Sequence, residues 1–113
     1  MAKIKFSEEV KSKVKVQDKD NYNLPKNGIF IVVSGYCEYC QELVDKLPEL
    51  IKTDIKVIII DMSDDPDVLQ DLNLYGVPTL IKFKNGKEVK RIVTGNEKKV
   101  KKFINCNGDS CII

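Results

Sequence analysis

The sequence predicts an α/β domain in which helices flank a central mixed β-sheet of four to five strands, in the order β-α-β-α-β-β-α. Three observations carry that expectation. Two continuous apolar runs rich in β-branched residues, within Ile29 to Gly35 and Ile55 to Asp61, have the pattern of strands buried on both faces of a sheet. A stretch with helical spacing follows each. Two further strands flank Asn85-Gly86, the strongest short-range hairpin signal, and their antiparallel pairing makes the sheet mixed.

Taken in order, "KIKF" at Lys3 to Phe6 alternates polar and apolar residues and reads as a short strand. Ser7 offers a helix N-cap with Glu8 and Glu9 in the first turn, so a short helix should follow. Gln17 to Gly28 is rich in Asn, Asp, Pro and Gly and reads as a loop. Beyond the central strand, Leu43, Val44, Leu47 and Leu50 share helical spacing, and Pro48 is expected to kink that helix or end a segment. Cys37 then falls at or near the helix N-terminus, with Cys40 one turn inside. Asp64 to Leu74 should form the next helix, with Asp65 as N-cap and Pro66 in its first turn. "TLIKFK" and "KEVKRIV" form the hairpin, and "NEKKVKKFI" the last helix, with Val100, Phe103 and Ile104 on its apolar face and its lysines solvated.

At 113 residues the chain fits one domain, residues 1–105, followed by a tail at 106–113. Nineteen Lys and Arg against 17 Asp and Glu give a net charge of +2, too small a basic field for a dedicated nucleic-acid binder. "MAKIKFSEEV" has no apolar stretch of signal-peptide length, and the longest apolar run, Ile29 to Val33, is far below a membrane span. The expected compartment is therefore the cytoplasm, with no membrane partner.

That compartment bears on the four cysteines, because cysteine pairs in reducing surroundings are more often catalytic or metal-binding than structural. Histidine is absent, so a zinc site would need all four cysteines or added carboxylates. Cys37 and Cys40 have two residues between them, Cys106 and Cys111 four. A four-cysteine zinc site stays open as a minority reading beside the expectation of no metal.

Cys37-x-x-Cys40 after the first central strand, together with "GVPT" at Gly76 to Thr79 opening the hairpin, resembles the thioredoxin superfamily over roughly Ile29 to Asn105. The resemblance implies the thioredoxin fold and a thiol-disulfide oxidoreductase that reduces protein disulfides. It makes Cys37 the exposed nucleophile and Cys40 the thiol that resolves the mixed disulfide. A helix N-terminus, with its free N–H groups and partial positive charge, favours the thiolate of the first cysteine on independent physical grounds. Pro78 is expected to follow a cis peptide bond and face the cysteines, with Val77 pairing its backbone to a bound target and Gly76 leaving room. Tyr36, Glu38, Tyr39, Gly76, Val77 and Pro78 would line the target surface. No prosthetic cofactor is implied. The redox-active disulfide would be regenerated from outside, by a thioredoxin reductase with NADPH or by glutathione. Disulfide-containing proteins are the expected partners of a monomer.

Departures from the thioredoxin pattern matter as much. Ile31 stands where the family usually has a buried acid, and Val57 where it often has lysine, which leaves the proton acceptor for Cys40 to water, Glu38 or Glu42. Glu38 also places a like charge near Cys37 and opposes its thiolate, which predicts a reducing rather than an oxidising couple. Tyr39 before the second cysteine resembles glutaredoxins, so a glutathione-dependent glutaredoxin is the alternative, and a non-catalytic binding module a second. For Cys106 and Cys111, around the turn-forming "NGDS", three readings compete: an accessory redox relay, a structural clasp, and incidental thiols.

Overall fold

A computed structural model describes residues 3–63, 65 and 67–106. Among them the chain runs α1 (Glu8–Lys13), β1 (Lys15–Gln17), β2 (Gly28–Val33), α2 (Cys40–Leu50), β3 (Lys56–Asp61), α3 (Asp67–Asp71), β4 (Thr79–Lys84), β5 (Lys87–Val93) and α4 (Glu97–Asn105). The strands form one sheet in the order β1-β3-β2-β4-β5. β3 runs parallel to β1 and β2, while β4 is antiparallel to β2 and β5, so the sheet is mixed as expected.

β2 is buried along its whole length because helices cover both sheet faces. Strand alternation sorts the two cores. Ile29, Ile31, Val33, Val57 and Ile59 pack with Cys40, Leu43, Val44 and Leu47 of α2 and with Val100, Phe103 and Ile104 of α4. Phe30, Val32, Ile58 and Ile60 face the other way, against Val68 of α3 and Leu74. Each large side chain buried this way contributes about 1.5–3 kcal/mol.

Several local expectations hold for the stated reasons. Ser7 caps α1, its Oγ accepting from Val10 N at 3.2 Å; α4 has a cap the sequence reading did not name, Asn96, whose Oδ1 accepts from Lys99 N at 3.1 Å. Asn85 and Gly86 both have positive φ, 55° and 80°, as a two-residue hairpin turn requires. Asp65 Oδ1 accepts from Asp67 N at 3.0 Å at the start of α3. Pro66 lies outside the described residues.

Two expectations are corrected. Lys3 to Phe6 form no strand: Ile4 N donates to Asp61 Oδ2 at 2.9 Å, and Lys5 bonds to the Gln41 side chain through both N and O. The segment's backbone groups are taken by side chains, and the edge strand is β1, after α1. Of the two outcomes expected at Pro48, a kink or an end, the end does not occur there, since α2 continues to Leu50. Cys40 opens α2 instead of lying a turn inside, because Cys37 N is committed to a tight turn with Ser34 O at 3.1 Å.

Candidate active site

The site is built where β2 and β3 end. Ser34 is buried and organises the turn after β2: its O accepts from Cys37 N, and its Oγ accepts from Tyr36 N at 3.1 Å. The turn holds Cys37 half-buried, three residues ahead of α2, and delivers Cys40 to the core with no exposed surface. Burial pushes the Cys40 thiol up to about 12, a hydrogen bond with Cys37 adds to this, and a backbone hydrogen bond from Ser34 opposes it. Repulsion from Cys37 and from Asp61 acts in the same direction as burial.

Across from the cysteines, Val77-Pro78 is a cis peptide, and Cys37 Sγ donates to Val77 O at 3.5 Å. The structure thus brings together Tyr36, Cys37, Glu38, Tyr39 and Cys40 on the turn, and sets Cys37 against the loop carrying Gly76, Val77 and Pro78. Tyr36 and Tyr39 are 66% and 61% exposed, and Glu38 is exposed beside them. A Cβ on Gly76 would meet Val93 Cγ1 at an ordinary 3.7 Å, so the chain itself does not demand glycine there.

Sequence reasoning missed two residues. Tyr75, 95% exposed, precedes the Gly76 loop. Asp61 is the second, and only the sheet register shows which face it shares. Gly95, the glycine that "TGNE" places before the last helix, lets the segment before α4 approach the turn: a Cβ there would lie 2.9 Å from Tyr39 Cβ.

Ile31 and Val57 are both buried on the Cys40 face, packed among apolar side chains. Glu38 and Glu42 are exposed. Cys106 is not gathered with Cys37 and Cys40. Cys106 follows α4, and its O accepts from Lys82 Nζ at 2.8 Å; Lys82 is in register with Ile29, at the start of β2, while Cys37 and Cys40 follow its end. Cys111, and with it the pairing of Cys106, lies outside the described residues. Among the described residues no group of three or more His, Cys, Asp and Glu is placed to hold a metal, and no helix is long and apolar enough to cross a membrane.

This geometry can be set beside known proteins. The family model described as Thioredoxin matches residues 13–106. A thioredoxin of Echinococcus granulosus is 35% identical over 74 residues, covering 64% of this chain and 69% of that protein. Among solved structures, thioredoxin f2 of Chlamydomonas reinhardtii superposes with a TM-score of 0.67 at 17% identity, over 81% of this chain and 94% of its own. A thioredoxin fold solved in a complex of ferredoxin:thioredoxin reductase and thioredoxin f2 gives a TM-score of 0.64 at 21% identity, over 78% and 88% of the two chains.

Proposed function

Because the chain belongs to the thioredoxin family and is a thiol-disulfide oxidoreductase, we propose that Cys37 is its attacking nucleophile, Cys40 its resolving thiol and a protein disulfide its target. The observation that carries this reading is the asymmetry of the pair. Cys37 is half-buried beside the cis Val77-Pro78 bond, whereas Cys40 is fully buried behind it. Only the first sulfur meets an incoming target.

Cys37 sulfur attacks one sulfur of the target disulfide, whose S–S bond breaks as the mixed disulfide forms. Cys40 then attacks Cys37, the target leaves with its second thiol, and the Cys37-Cys40 disulfide holds the oxidation. Tyr36, Glu38, Tyr39, Gly76, Val77 and Pro78 are the target surface, to which Tyr75 is added. Chemistry in this family resides in the thiols and uses no prosthetic group. The reductant is a dedicated thioredoxin reductase; the neighbour solved with such an enzyme supports that partner. The protein acts as a cytoplasmic monomer whose domain spans residues 1–105. Cys106 and Cys111 are proposed as an accessory relay between molecules, since Cys106 stands at the end of the sheet away from Cys37.

Insulin-disulfide reduction tests the reading, run with NADPH and thioredoxin reductase and, separately, with NADPH, glutathione and glutathione reductase. Turnover in the first system, abolished in Cys37→Ser, is the expected result. Turnover with glutathione alone would move the protein to the glutaredoxin branch, which Tyr39 favours. Silence in both would leave a dedicated reductase of another kind or a passive binding module.

A further inference from the structure

Cys40 needs a partner to take its proton when it attacks, and the exposed Glu38 and Glu42 are poorly placed for it. Asp61 ends β3 in register with Val33. Val57 and Ile59 pack in the Cys40 core, and Ile58 and Ile60 in the opposite one, so alternation puts Asp61 on the Cys40 face. Its carboxylate is fixed from two sides. Oδ1 accepts from Ser63 N at 2.9 Å and from Ser63 Oγ, while Oδ2 accepts from Ile4 N at 2.9 Å.

The same network reaches the cysteine turn. Ser63 Oγ accepts from Gly35 N at 2.6 Å, and Met62 N donates to Val33 O at 2.9 Å. Asp61 is thereby tied to the segment whose Ser34 backbone bonds to Cys40. Its charge reaches Cys40. Oδ2 accepts from Ile4 N, and a carboxylate oxygen offers two lone pairs, so this bond and a proton can share it.

We propose that Asp61 is the proton acceptor for Cys40 during resolution of the mixed disulfide. The inference rests on the assignment of Cys40 as resolving thiol. As the step proceeds, the Cys40 proton passes to Asp61, the Cys40 sulfur bonds to Cys37 sulfur, and the Cys37-target bond breaks. The target departs as a thiolate that solvent protonates, having received the two electrons of the cysteine pair. Other titratable and charged groups on the elements around Asp61 are Cys37, the exposed Glu38 and Glu42, the exposed Lys3 and Lys5 before α1, and Asp65, paired with Lys19 at 3.3 Å.

A chromogenic aromatic disulfide in single-turnover stopped flow separates the two steps, because the first thiolate released reports Cys37 attack and the second reports Cys40. Asp61→Asn should slow the second release at least about tenfold and leave the first within about twofold. Its second phase should also rise more steeply with pH across the neutral range than the wild type. A second release at the wild-type rate, or a slower one with the wild-type pH profile, would overturn the proposal. If Asp61→Asn does not fold, Ser63→Ala, which keeps the carboxylate and its two backbone donors but removes the hydroxyl that links it to Gly35, should slow the second release several-fold; an unchanged rate would overturn it equally. Cys40→Ser must lose the second release, and retention would overturn the underlying assignment of Cys40 instead.

Discussion

At the end of the sheet where Val33 and Asp61 lie, polar groups converge on two thiols, whereas at the end where Gly28 and Lys56 begin the same strands they close helix and strand ends. Asn105 Nδ2 donates to Leu50 O and Lys101 O, and its Oδ1 accepts from Lys52 N, each at 2.7 Å, so one side chain joins the ends of α2 and α4. Lys82 reaches Cys106 O and lies 5.0 Å from the Phe103 ring centroid. The site end differs in keeping exposed aromatics and a half-buried sulfur beside its hydrogen bonds. Substitutions at the far end should therefore change stability, and those at the site end should change redox chemistry.

The largest stability effect expected is that of Phe103→Ala, about 3–5 kcal/mol in denaturant unfolding, because a fully buried ring leaves a cavity between α4 and the sheet. Insulin reduction by the folded fraction should persist. A pair of glycine replacements sharpens the contrast. Gly28→Ala sets a Cβ 2.4 Å from Lys56 O and should cost about 1–3 kcal/mol with turnover per folded molecule unchanged. Gly95→Ala presses on the exposed Tyr39 side chain instead, so it should slow target reduction with a smaller loss in stability. Equal effects of the two on both readouts would break the distinction.

Smaller effects follow. Asn105→Ala should cost about 1–2 kcal/mol, since it strips hydrogen bonds from two helix ends, with no change in reduction rate. Titration gives the subtlest test. The Cys40 thiol is raised from an ordinary 9.0 to about 12 in the folded state, so its contribution to stability is complete below pH 9 and is lost as pH rises toward 12. Reduced wild type should lose stability faster over that window than Cys40→Ala, as read by urea unfolding at each pH.

Legibility in the sequence followed pattern length. Apolar runs and the Asn85-Gly86 turn announce β2 to β5 because burial on both faces and positive φ each demand particular residues. β1 gave no such signal: three residues, Lys15–Gln17, carry one apolar side chain, and only pairing with β3 makes them a strand. "KIKF" had the alternation but not the partner. Within the site, Cys37, Cys40, Val77 and Pro78 stand out through motif spacing. Asp61 read as the polar end of an apolar strand, because its face depends on register, and its link to Gly35 runs through Ser63.

The division of labour between the two thiols is tested most directly by trapping. Cys40→Ser mixed with insulin should accumulate a covalent adduct through Cys37, seen by mass spectrometry and released by dithiothreitol, while Cys37→Ser forms none. Adducts through Cys40 in the Cys37→Ser protein, or no adduct in Cys40→Ser, would contradict the account.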